Sequence, residues 1–245
     1  MSDQRPLREA PVTRRTDSHP DLTRPDVGAP FFSTWRVDTP DRQRATVAAI
    51  AHTWERREWP APGLLAYHVY TGGDGATLLH HSQWTAEHAY EAFARTRRQE
   101  RVDEIDTAVP GIRRQGLDRY RHYRSHARAA GDTRVPGLVV TVRIDFEPDA
   151  RGRRRDWTDT VLTALTEEPD GHDGLIAAHF HLSGDGGHVL NYAEWESDQA
   201  YDAALAAPGA GIGAPTPLWE RVRTYPGVKG FTGSRYEHAL GLVPG

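Results

Sequence analysis

The chain carries the same ordered series of short motifs twice, and this repetition limits the folds open to it more than any other feature. Arg36-Val37-Asp38 returns as Arg143-Ile144-Asp145, and Gly63-Leu64-Leu65-Ala66-Tyr67-His68 as Gly174-Leu175-Ile176-Ala177-Ala178-His179. Gly73-Asp74-Gly75 then matches Gly184-Asp185-Gly186, and Trp84 with Ala89-Tyr90 matches Trp195 with Ala200-Tyr201. Pro110-Gly111 matches Pro226-Gly227, and Arg119-Tyr120-Arg121-His122 matches Arg235-Tyr236-Glu237-His238. The order never breaks and the spacing between partners drifts slightly, as two small insertions would produce. One supersecondary unit is therefore expected twice.

Each copy reads β-α-β-β-α-β. Phe31 to Val37 has strand character, and Pro40 and Pro148 sit where a helix can begin, ahead of the helical runs Thr46–Ala51 and Thr160–Leu165. Two β-rich runs follow, joined at Asp74-Gly75 and Asp185-Gly186, dipeptides that suit a type I′ hairpin turn. A second helix is expected after each Trp, then a break at Pro-Gly, then a strand ending in Arg-Tyr-x-His. This is the order of a ferredoxin-like unit, an α+β fold. A lone four-stranded sheet with helices on one face leaves the other bare, so two copies in one chain are expected to cover each other as an intramolecular dimeric α/β barrel. The organisation read from the sequence is a flexible tail over 1–29, a first unit over 30–126, a linker over 127–135 and a second unit over 136–245. The tail reading rests on a segment rich in Arg, Asp, Pro and Thr whose Arg5, Arg8, Arg14 and Arg15 suit solvent.

Composition removes whole classes of chemistry. There is no Cys among the 245 residues, which excludes thiolate nucleophiles, disulfides and Cys-based metal sites. A net charge of −4 argues against nucleic acid as a partner. No apolar run approaches the roughly 20 residues that span a bilayer, and no basic-then-apolar leader is present, so no membrane partner and a cytoplasmic location are expected.

In the second hairpin, period-two alternation places His179 and His181 on one face of a strand, and Asn191, Ala193 and Trp195 on one face of the next. These polar and aromatic groups are expected to converge; if those faces point toward the helices, they offer amide, imidazole and indole N–H groups inside an apolar pocket, with Tyr201 on the following helix able to close over a flat phenolic ligand. His179-Phe180-His181 with Asp185 has the look of a metal-binding pair, but Asp185 belongs to the shared turn and the helices exclude an all-β metal barrel. No metal is expected. Haem-degrading proteins of similar fold carry a His on the second helix, and Leu205 and Ala94 fall in that region here, so comparison with them implies no haem.

The run Val189-Leu190-Asn191-Tyr192-Ala193-Glu194-Trp195-Glu196-Ser197-Asp198-Gln199-Ala200-Tyr201 resembles the signature stretch of the antibiotic biosynthesis monooxygenase family, and the likeness covers most of residues 136 to 238. Residues 30 to 126 resemble the family more loosely, making this a tandem-domain form. The resemblance implies oxidation of a polycyclic phenol or anthrone, an aromatic polyketide intermediate, by O₂ to a quinone, with no flavin, haem or metal cofactor. It implies Asn191 and Trp195 as the groups holding the reacting ring and reduced oxygen, with His181 and Tyr201 as further catalytic polar groups. It also implies an Arg on the second helix; Arg221 and Arg223 both fall there, and Arg221 is the choice. His179, Trp84, Tyr90, His80 and Tyr70 are the substrate-binding candidates. In the first copy His80 stands for Asn191 and Tyr70 for His181, so chemistry is expected in the second. A cyclase or dehydratase, or a non-catalytic binding protein, are the rival functions on this barrel, and association of whole chains into a homodimer is left open.

Overall fold

The computed structural model describes residues 11–129, 131–167, 173–207 and 215–245. A short strand β1 (Thr13–Thr16) precedes unit 1: β2 (Ala29–Arg36), α1 (Pro40–Glu55), β3 (Leu64–Gly72), β4 (Thr77–Trp84), α2 (Glu87–Thr96), α3 (Arg98–Ala108) and β5 (Arg113–Ala127). Unit 2 repeats the order: β6 (Leu138–Phe146), a 3₁₀ turn (Pro148–Arg153), α4 (Arg154–Glu167), β7 (Leu175–Ser183), β8 (His188–Trp195), α5 (Asp198–Ala206), α6 (Pro217–Arg223) and β9 (Val228–Pro244). Among the described residues no helix is long and apolar enough to cross a membrane.

Strands β2 to β9 close into an antiparallel barrel in the order β9-β3-β4-β2-β5-β7-β8-β6, with β6 returning to β9. Closure depends on two long strands that each serve both units. The first part of β5 pairs with β2 (Phe31 opposite Arg119), and the rest pairs with β7 from Tyr120 opposite Ser183 onward. Likewise β9 pairs with β6 up to Tyr236 and with β3 from Tyr236 to Leu242. The repeated Arg-Tyr-x-His motifs lie at these crossings, where Arg119 pairs with Glu87 and Arg235 with Asp198 and Asp202.

Caps from the sequence start the helices. The Thr39 side chain accepts from the Arg42 N–H with Pro40 in the first turn, Ser197 caps α5, and Thr216 with Pro217 opens α6. The outward face of each sheet packs under its helices, giving one core around Trp54, Ile50 and Phe93 and another around Trp157, Val161 and Trp219. The inward faces fill the lumen with Phe32, Tyr70, Leu79, Tyr120, Leu190, Tyr192 and Tyr236. Gly63 and Gly174 make equivalent close approaches: a Cβ on either would collide with Ala89 or Ala200, so both glycines let the following helix pack onto the sheet.

Three expectations need correction. From Thr13 onward the segment read as a tail is packed: β1 pairs with β9 from Thr13 opposite Pro244 to Thr16 opposite Gly241, and Leu22 is buried in the lumen. Residues 1–10, with Arg5 and Arg8, lie outside the described residues. The hairpin turns are not type I′, which needs positive φ at both central residues; Gly75 and Gly186 have it, but Asp74 and Asp185 do not. Instead Gly75 N–H donates to the Gly72 carbonyl, and the Asp74 carboxylate accepts from the N–H groups of Ala76 and Thr77. Finally, Arg36 and Arg143 are not equivalent. Arg36 lies opposite Thr77, whereas Arg143 lies opposite Leu190, two places deeper in the strand, although each pairs with the Asp two residues on.

Candidate active site

Between the outward face of the unit 2 sheet and helices α4 to α6 lies a cavity of about 450 Å³, within the range that holds a drug-sized ligand. Its walls are largely apolar: Val140, Val142 and Ile144 from β6, Ala178 and Phe180 from β7, and Trp157, Val161 and Trp219 from the helices. Asn191, Trp195, Tyr201 and Arg223 supply the polar groups. Asn191 and Trp195 share the outward face of β8 at even spacing, and Tyr201 meets Trp195 edge to face with ring centroids 5.1 Å apart. Burial holds the Tyr201 phenol above its ordinary value, so it stays protonated.

Three polar atoms of this set lack hydrogen-bond partners. Buried polar atoms nearly always find partners, yet Asn191 Oδ1, Trp195 Nε1 and Arg223 Nη1 are buried and make no hydrogen bond within the protein. Arg223 is tied at its other nitrogen to Glu220 at 3.3 Å. Arg221, the choice from sequence, is exposed and lies 3.6 Å from Asp156, away from the cavity. On α6 the buried positions are Trp219 and Val222, and helical spacing puts Arg223 on their side and Arg221 off it.

His179 and His181 do not join the site. Phe180 is the residue opposite Asn191, while His181 lies opposite Leu190 and His179 opposite Tyr192, so both imidazoles point into the lumen. There the Ser125 hydroxyl is 2.8 Å from His179 Nδ1, and His181 Nδ1–H donates to the His179 carbonyl. Burial drives the His181 imidazole well below its ordinary value. Tyr70, the counterpart of His181, also faces the lumen, where Tyr192 donates to its hydroxyl at 2.9 Å.

Unit 1 has the same pocket, but its cavity is about 130 Å³. The strand registers give the reason. Tyr67 opposite Ser82 corresponds to Ala178 opposite Ala193, and Trp35 corresponds to Ile144. Leu117 lines the wall of this cavity and Gly233 that of unit 2, each next to the residue of the long strand that faces Phe32 or its counterpart Thr141. Two of its polar groups have internal partners: Trp84 Nε1 donates to Ser82 Oγ at 3.0 Å, and the Tyr67 hydroxyl is 2.6 Å from His80 Nδ1. Burial pulls His80 down to about 3, so it is neutral. Trp84 and Tyr90 line this cavity and pack edge to face at 5.5 Å. The roles of Ala178, Ala193 and Gly233 are absent from the sequence reading. Comparing the two copies position by position, Tyr67 against Ala178 and Ser82 against Ala193, carries that signal.

Among the described residues no three His, Asp or Glu side chains are placed to hold a metal ion, and no His lines the unit 2 cavity.

Residues 138–211 match the model of the antibiotic biosynthesis monooxygenase family. Over this stretch unit 2 is similar to that family. Over 75 residues the chain is 36% identical to the tetracenomycin-F1 monooxygenase of Streptomyces glaucescens, a match that covers 30% of this chain and 63% of that protein's length. In structure the chain resembles an anthrone oxidase-like protein (TM-score 0.63, 17% identity, 87% of this chain and 92% of the other). It also resembles a mutant chlorite dismutase from Candidatus Nitrospira defluvii (TM-score 0.56, 12% identity, 89% and 93%). At these identities the two structures share the fold with this chain.

Proposed function

We propose that unit 2 is a cofactor-independent monooxygenase acting on a polycyclic phenol or anthrone, an aromatic polyketide intermediate, with O₂ as co-substrate and a quinone as product. The observation that carries this reading is the buried, unpartnered Trp195 Nε1, whose unit 1 counterpart Trp84 donates to Ser82, beside the unpartnered Asn191 Oδ1 in a large apolar cavity. The Trp195 indole N–H is a neutral donor that, in a water-poor site, favours an ionised ring oxygen over a neutral one, whereas Asn191 Oδ1 can only accept, from an O–H or N–H of the substrate. A preorganised donor in such a place is worth roughly 2.7–4 kcal/mol. The Arg223 guanidinium adds positive charge, and the Tyr201 phenol remains a donor. Once ionised, the ring gives one electron to O₂; recombination forms a C–O bond, and loss of water leaves a carbonyl where a C–H₂ or C–H stood.

The absence of Cys and the lack of a His in the pocket support chemistry without a bound metal, haem or flavin. The matched motifs support reading the two units as copies of one ancestral unit, paired within one chain as single-unit relatives would pair between chains. Oxygen uptake by purified protein supplied with an anthrone, before and after exhaustive chelation, tests the reading. Stoichiometric uptake that survives chelation is expected. Ring closure or dehydration without uptake would assign a cyclase, and tight binding without turnover a carrier.

A further inference from the structure

The small cavity of unit 1 has lost its counterpart's polar set but has an unusual charge balance. Arg98, Arg101 and Arg114 line it, with no Asp or Glu. Arg101 is 5% exposed. Its terminal nitrogens donate to the carbonyls of Arg97 and Glu58 at 3.0 and 3.2 Å, and its Nε–H is buried without a partner. The charge rests over Trp54, 5.0 Å from the ring centroid, rather than on a carboxylate. Burial, then the nearby Arg57, lower the guanidinium to about 10, which still leaves it a cation at neutral pH. Arg114 forks onto Asp106, stacks on Trp35 at 4.3 Å and keeps its own Nε buried and unpartnered. The third group is His80, which is 4% exposed. Its Nδ1 takes the Tyr67 phenol, which leaves the ring proton on Nε2, again buried and unpartnered. Of Arg101, Arg114 and His80 only Arg114 meets a carboxylate, and the nitrogens left unpartnered, Arg101 Nε, Arg114 Nε and His80 Nε2, are costly to bury unless a ligand receives them.

We propose that the unit 1 cavity binds a small aromatic carboxylate, at a site separate from the unit 2 cavity. The guanidinium groups and the His80 N–H supply the charge-assisted donors that a carboxylate takes. Phe31, Trp35, Tyr67, Trp84, Tyr90 and Phe93 form aromatic walls for a ring, and a volume near 130 Å³ limits the ligand to about one ring. The proposal does not depend on the oxygenase reading.

Calorimetric titration of the whole chain with benzoate, benzamide and inorganic phosphate tests it. Saturable benzoate binding is expected, with benzamide and phosphate each weaker by at least about tenfold, the loss of one charge-assisted contact or of the ring contacts. Arg101→Met should weaken benzoate by about tenfold or more; should that variant fail to fold, Arg98→Gln at the start of α3 is expected to weaken it severalfold. Arg223→Met, in unit 2, should leave it unchanged. Equal binding of benzamide, or benzoate binding unaffected by both unit 1 changes, would overturn the site. Loss of binding in Arg223→Met would move it to unit 2, and equal binding of phosphate would refute the aromatic carboxylate assignment.

Discussion

Ala193→Ser tests whether the free indole N–H of Trp195 is what distinguishes the two pockets. In unit 1 the residue at this position, Ser82, accepts from Trp84 at 3.0 Å, and both Trp side chains are almost fully buried in equivalent places. A serine in unit 2 adds one oxygen within reach of Trp195 Nε1 while leaving the cavity nearly its full volume. The substrate must then displace an internal hydrogen bond worth about 0.5–1.5 kcal/mol net, so kcat/KM should fall by roughly two- to tenfold. Thermal stability should hold or rise. Trp195→Phe removes the donor altogether and should cost about 10² to 10³ in rate. Steady-state oxygen uptake and a melting curve on both variants supply the comparison. Unchanged kcat/KM in Ala193→Ser together with a mild effect of Trp195→Phe would refute the assignment of Trp195 as the group that meets the reacting oxygen.

Further expectations follow from the same geometry. Asn191→Ala should lower kcat by about 10² to 10³ with the fold intact, whereas His80→Ala should change kcat less than about tenfold but lower stability by about 1–3 kcal/mol, because it strands the buried Tyr67 hydroxyl; oxygen uptake and chemical denaturation separate the two effects. Ala178→Tyr installs the side chain that fills unit 1 and should abolish binding of a polycyclic phenol, measured by quenching of tryptophan fluorescence, while circular dichroism stays native. Acid should destabilise the protein. Burial depresses His68, His80, His81, His181 and His238 in the folded state, with His80 and His81 near 3 and His238 near 4. Their contribution is therefore complete above the unfolded value of about 6.5 and is lost as pH falls toward the folded values, at about 1.4 kcal/mol per histidine per pH unit. A melting temperature that does not move between pH 7 and pH 5 would contradict this.

The repeat made the architecture legible because paired motifs at turns and helix starts do not depend on packing detail. Asn191, Trp195 and Tyr201 were also legible, since strand alternation and one helical step put them on a common wall. The histidines were not. Alternation says that His179 and His181 share a face and that Asn191 and Trp195 share a face, but whether the two faces coincide depends on cross-strand register, and a shift of one residue inverts the answer. Here Phe180 is the residue opposite Asn191. The packed arm from Thr13 was hidden for a related reason: β1 is held by backbone pairing to β9, which charged side chains such as Arg14 and Arg15 neither require nor prevent.

The narrow pocket of unit 1 is compatible with a wide one in unit 2 because the two units share strands. β9 ends its course on β3, and β5 ends on β7, so removing unit 1 would leave β7 and the far half of β9 with bare edges. A fragment spanning 136–245 is thus expected to self-associate or aggregate, and a stable monomeric fragment by analytical ultracentrifugation would contradict the shared barrel. Given that dependence, each exchange that narrows unit 1, namely Trp35 for Ile144, Tyr67 for Ala178 and Ser82 for Ala193, adds packing or satisfies a polar group where no polycyclic substrate needs room. Unit 2 carries the opposite choices, leaving a large apolar cavity and unpartnered buried polar atoms, features that cost stability. The strands the units share let the packed half hold the hollow one in place, which allows a marginal pocket to remain preorganised.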